Sequence, residues 1–133
     1  MEQINLSSNH RRSVTSSLLV VENNLIEMEK MLKQPVNGHL SQMIVDISIS
    51  RKKEALLKIV GIRKMIGGLY TKYGLYKHST QLSRYIDSRK SSIWEILCET
   101  SSKRLKGFGE FPSENGKEFD NDINILQELI EKI

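Results

Sequence analysis

The residue pattern predicts an all-α protein, an antiparallel up-down-up-down four-helix bundle in one domain over residues 1–133. Three observations carry that expectation. Apolar residues recur at alternating spacings of four and three in four separate segments, which marks one face of a helix. No segment alternates with period two for long enough to build a sheet. Only two prolines, Pro35 and Pro112, interrupt the chain, so long regular elements are expected. Four amphipathic helices with short connections bury their stripes most economically as an up-down bundle.

Helix 1 is expected over 9–34. Its stripe, Val14, Leu18, Val21, Leu25, Met28 and Leu32, has spacings of 4, 3, 4, 3 and 4. Ser8 or Asn9 offers an N-cap, and Pro35 forbids continuation. Helix 2 is expected over 38–73, after a turn at Pro35–Gly38, with Asn37 as candidate cap. Leu40, Ile44 and Ile47 open its stripe, which loses phase across the polar Ser48–Glu54 stretch and resumes at Ala55, Ile59, Ile62, Ile66, Leu69 and Tyr73. Leu56 and Val60 add a second apolar face, so this helix is expected to touch more than one neighbour. Gly67-Gly68 lies inside the stripe, where two glycines cost about 2 kcal/mol relative to alanines. The helix therefore kinks there or stops. Gly74 suits the C′ position.

Helix 3 is expected over 79–105, with Leu82, Ile86, Ile93 and Ile96 or Leu97 facing inward and Tyr85 and Trp94 at the flanks. Arg89 occupies a stripe position. Buried, it would need an acid such as Glu22 or Glu54; otherwise its stem packs while the guanidinium reaches water. Gly107 and Gly109 close the segment. Helix 4 is expected over 115–133, on Phe119, Ile123, Leu126, Ile130 and Ile133. Asn115 with Glu118 has the form of a capping box, and acids crowd the first turns, where the helix dipole favours them.

Composition bounds the function classes. Hydrophobic content of 38% and charged content of 27% suit a soluble globular protein. The single cysteine, Cys98, cannot form an intramolecular disulfide, no secretory signal is visible, and the longest aliphatic run, Leu18–Val21, is far short of a membrane span. A cytoplasmic setting without membrane contact is expected. Charge is uneven: Arg51 to Lys106 holds fourteen Lys/Arg against four acids, within a chain of net +4. Such a field draws acidic partners or nucleic acid.

Chemistry is sparse. No two of His10, His39 and His78 have metal-ligand spacing on one helix face, and the predicted topology puts His39 at the opposite pole, so no metal or other cofactor is expected. The stretch Asn9-His10-Arg11-Arg12-Ser13-Val14-Thr15 resembles phosphoacceptor helices of two-component signalling proteins, which makes phosphotransfer at His10 an alternative reading. Against it, Asn9 at i−1 does not face His10, and the acid or proline that follows a phosphoacceptor histidine is missing. Glu22 with Glu29, and Glu95 with Glu99, share helix faces beside bases and suit surface ion pairs rather than acid–base work. Cys98 has no adjacent base and suits a small core residue. The glycine pairs match no phosphate loop. A non-enzymatic protein is expected.

The tyrosines are the strongest functional signal. Tyr70, Lys72, Tyr73, Tyr76, Lys77 and His78, with Arg84 and Tyr85 beyond, interleave all four tyrosines of the chain with bases at the helix 2–helix 3 hairpin. Rings beside cations suit nucleic-acid recognition, but Tyr70, Tyr73 and Tyr85 also lie on or beside the apolar stripes, where rings pack and hydroxyls reach the rim. The leading expectation is a protein–protein interaction module, self-associating as a homodimer, from the two-sided helix 2 and the opposite charge of helix 4. Nucleic-acid binding through the basic hairpin is the alternative.

Overall fold

The structure, a computed structural model, describes residues 3–112 and 114–133. It is all-α: four helices, α1 (Ser8–Lys33), α2 (Ile49–Tyr73), α3 (Leu82–Cys98) and α4 (Gly116–Glu131), with a 3₁₀ turn at Arg104–Phe108 and no strand among the described residues. No helix among them is long and apolar enough to cross a membrane. The helices pack as two pairs, α1 with α2 and α3 with α4, within two compact units, Met1–His78 and Ser79–Ile133. The charge divides with them. Unit 1 carries twelve Lys/Arg against six Asp/Glu (+6), unit 2 eight against ten (−2).

In unit 1, α1 starts at a serine cap, one residue before Ser8 and two before Asn9: Ser7 Oγ accepts from His10 N–H at 3.1 Å. The start of α1 lies beside the end of α2, and its last turns beside the start of α2. Ile4 N–H donates to Lys72 O at 2.8 Å, and Arg63 reaches Glu29 at 2.8 Å. The pair is therefore antiparallel. The first third of the predicted helix 2 is not helical. Asn37 Oδ1 accepts from Met43 N–H at 2.7 Å and folds the chain into a turn, Leu40 is fully exposed, and Ser48 caps the helix through Arg51 N–H at 3.1 Å. The loss of apolar phase across 48–54 marks this true start. Beyond it α2 runs through Gly67 and Gly68 to Tyr73, so it does not stop at the glycines.

Gly74 ends α2 in the left-handed region (φ 60°, ψ 44°), where a side chain is disfavoured. Leu75 N–H then returns to Tyr70 O at 3.0 Å, and the Leu75 side chain tucks under the turn, 8% exposed. Ile59, 4% exposed, is the other fully buried residue among those described. The remaining interface is half-buried: Val14, Leu18, Leu25 and Leu32 of α1 meet α2 residues such as Ala55, Ile66 and Leu69. A two-helix layer covers only part of each stripe, which leaves Val21, Met28 and Ile62 exposed.

In unit 2, α3 is shorter than the expected 79–105. Ser102 explains the end of the helix: its N–H and its hydroxyl both donate to Asp120 of α4, each at 2.7 Å, and draw the chain off the α3 axis. At the other end Lys90 Nζ donates to the carbonyls of Glu131 and Ile133, at 3.1 and 3.0 Å, so this pair is antiparallel too. Lys90 thus adds a base from the neighbouring helix to the C-terminal end of α4, beside the C-cap Lys132, where positive charge complements the helix dipole. The capping box is not formed. Asn115 holds the N-cap position with helical dihedrals and makes no side-chain cap bond. Phe111 stacks on Phe119 with centroids 4.8 Å apart and carries the connection onto α4. Cys98 is half-buried and accepts from Gln127 Nε2 at 3.4 Å.

Candidate functional site

The reversal at Gly74 builds the site. It lays Tyr76, Lys77 and His78 beside the first turns of α1, where Tyr76 N–H donates to Thr15 Oγ1 at 3.2 Å. The Tyr76 hydroxyl lies 3.4 Å from Ser8 Oγ, and the Arg11 guanidinium covers the ring at 5.5 Å. The Ser8 hydroxyl, with Arg11 and Arg12 adding positive potential, holds the Tyr76 phenol below its ordinary pKa against the opposing pull of desolvation. Between α1 and α2 this leaves a cleft of about 200 Å³. Its floor includes Leu18, Leu19 and Ile66, and its rim Glu22, Tyr70 and His78. Gly67 lines it too, and a Cβ there would meet no atom within 4 Å.

Four of the eight sequence candidates, Tyr70, Tyr76, Lys77 and His78, share this cleft. Lys72 and Tyr73 pair with each other, the ammonium 5.4 Å from the ring centroid. Arg84 and Tyr85 belong to α3 in unit 2, where Arg89 lies over the Tyr85 ring at 5.2 Å. Arg89 is exposed, with its cation on an aromatic face rather than in an ion pair. Three of the four rings therefore already carry a cation on one face. The cleft is smaller than the ~300–1,000 Å³ usual for small-molecule sites.

His10 sits exposed on the first turn of α1, and His39 lies in the α1–α2 connection. Glu29, whose side chain is 14% exposed, takes Lys33 and Arg63 at 2.8 Å each, and both hydrogen bonds lower its pKa. Asp120 is lowered in the same way by the two Ser102 donors.

Sequence reasoning missed a second concavity at the other end of unit 1. A groove of about 420 Å³ opens between the last turns of α1, the 43–47 segment and the first turns of α2. Three of the chain's five methionines, Met28, Met31 and Met43, line it. Their clustering within sixteen residues was the available signal.

Comparison of the sequence with protein-family models and with curated proteins, and of the fold with solved structures, returned no match. The fold and its open surfaces define the class, a small all-α protein built of two helix pairs.

Proposed function

We propose that the chain is a non-enzymatic protein–protein interaction module of the cytoplasm that also pairs with a second copy of itself. The observation that carries this reading is the outer side of α2, where Leu57, Val60 and Met65 are 75%, 55% and 66% exposed. Isolated exposed apolar residues are ordinary, but three such large side chains within nine residues on the outer side of one helix suit a contact surface. Lys53, Lys58 and Lys64 lie along the same helix, which holds seven bases and one acid. Two α2 helices laid together would set lysine against lysine. An acidic apolar face fits instead, and α4 is of that kind: Ile125, Leu126 and Leu129 are exposed beside Asp122 and Glu128. A second copy therefore supplies the complementary charge, which selects the pairing more than it strengthens it.

Light scattering on the purified chain tests this. Twice the 15.3 kDa chain mass is expected at high concentration, returning to the single mass in Leu57→Asp. A single mass at every concentration would refute self-association.

A further inference from the structure

The methionine-lined groove of unit 1 lies away from the outer side of α2 and has its own electrostatics. Its walls are apolar, with Met31 36%, Met43 46%, Ile44 73% and Val45 61% exposed. Methionine is flexible and polarisable, and it recurs on surfaces that accept varied apolar partners. The volume of about 420 Å³ lies within the ~300–1,000 Å³ typical of binding sites.

Charge identifies the occupant. Arg51 and Lys52 lie in the first turn of α2, which contains no acid, although a helix N-terminus favours acids and disfavours bases. Arg51 and Lys52 line the groove itself, and Asp46 is the one carboxylate on its lining. The neighbouring acids are engaged elsewhere, Glu29 with Lys33 and Arg63, and Glu54 with Lys58. None of Arg51, Lys52 and Lys53 is in an ion pair among the described residues. Two cations outside any ion pair thus stand on the lining of an apolar trough, on a helix end that itself attracts negative charge.

We infer that this groove receives an acidic amphipathic helix from a partner protein, with its apolar stripe on the methionines and its carboxylates against Arg51 and Lys52. Helix-in-groove docking of this kind reads apolar anchors at spacings of three and four. The inference rests on the interaction-module reading but concerns a different face.

The probe is a fluorescein-labelled peptide with leucines at those spacings and glutamates on either side, compared with a twin in which every glutamate is lysine. Anisotropy is expected to show the acidic peptide bound about tenfold or more tightly than its twin, with affinity falling as salt rises. Ile44→Asp and Arg51→Glu should each weaken it about tenfold, while Leu57→Asp leaves it unchanged. If Ile44→Asp loses helicity by circular dichroism, Met43→Gln makes the same comparison with less disturbance. Equal binding of the two peptides, or full affinity in both groove variants, overturns the proposal. So does a dimer that Ile44→Asp dissociates and Leu57→Asp does not, since a second copy would then fill the groove. A monomeric chain that still binds the peptide refutes self-association alone; a dimer that ignores the peptide refutes this groove assignment alone.

Discussion

Replacing Gly61, Gly67 and Gly68 by alanine is expected to stabilise unit 1. All three lie inside α2, and a Cβ built at each meets no heavy atom within 4 Å. The substitutions therefore introduce no clash and lose no contact within the chain. What changes is backbone entropy: an interior helical glycine costs about 0.8–1.0 kcal/mol relative to alanine. Each single variant should gain about that amount. The triple variant should gain up to about 2.5–3 kcal/mol, full additivity being limited by the adjacency of Gly67 and Gly68. At about 4–8 °C per kcal/mol for a domain of this size, the triple variant should melt roughly 10–20 °C higher. Circular dichroism at the helical minimum, followed through a thermal scan, reads this directly. A single variant that melts lower than the parent would refute the reasoning, because the space taken by its methyl group would have to be occupied.

Gly74→Ala should do the reverse. Its φ of +60° and the closeness of the Gln3 side chain predict a loss of about 1–2 kcal/mol in chemical denaturation. Ile59→Ala removes a side chain only 4% exposed and should cost about 2–4 kcal/mol by the same assay, the largest single loss expected in α2. Tyr76 should ionise below the ordinary range of a phenol in an ultraviolet pH titration, and Ser8→Ala should move it back towards the ordinary value. Glu29 and Asp120 have folded pKa values below their ordinary 4.5 and 3.8. Their contribution is complete above those values and is lost as pH falls through the lower folded ones. Glu29→Gln should therefore flatten the fall in stability on acidification, measured by denaturation at a series of pH values.

Periodicity located the helices because each stripe must face something apolar, and that requirement is written locally. The helix ends were less legible. Asn37 and Ser48 are both good caps, and the break in apolar phase after Ile47, with Ile59 buried beyond it, marks Ser48 as the start of α2. Likewise nothing between Ser79 and Leu105 reveals that Asp120, eighteen residues past Ser102, takes two hydrogen bonds from that serine and ends α3 early. Asn115 and Glu118 had the right types and spacing, yet Asn115 adopts helical dihedrals, which turn its side chain from the capping role. For the site, the run from Tyr70 to His78 was legible because one turn gathers it. Arg84 and Tyr85 follow closely in sequence but belong to another unit, and adjacency along the chain does not show that. The methionine groove escaped because its walls come from three segments.

The division of charge has a consequence for handling the molecule. The Ser79–Gln81 connection joins a segment of net +6 to one of net −2 at neutral pH. A cut there by a protease, followed by denaturation, would yield two fragments that migrate towards opposite electrodes. One would be retained by a cation exchanger and the other by an anion exchanger, so each half could be isolated in a single chromatographic step.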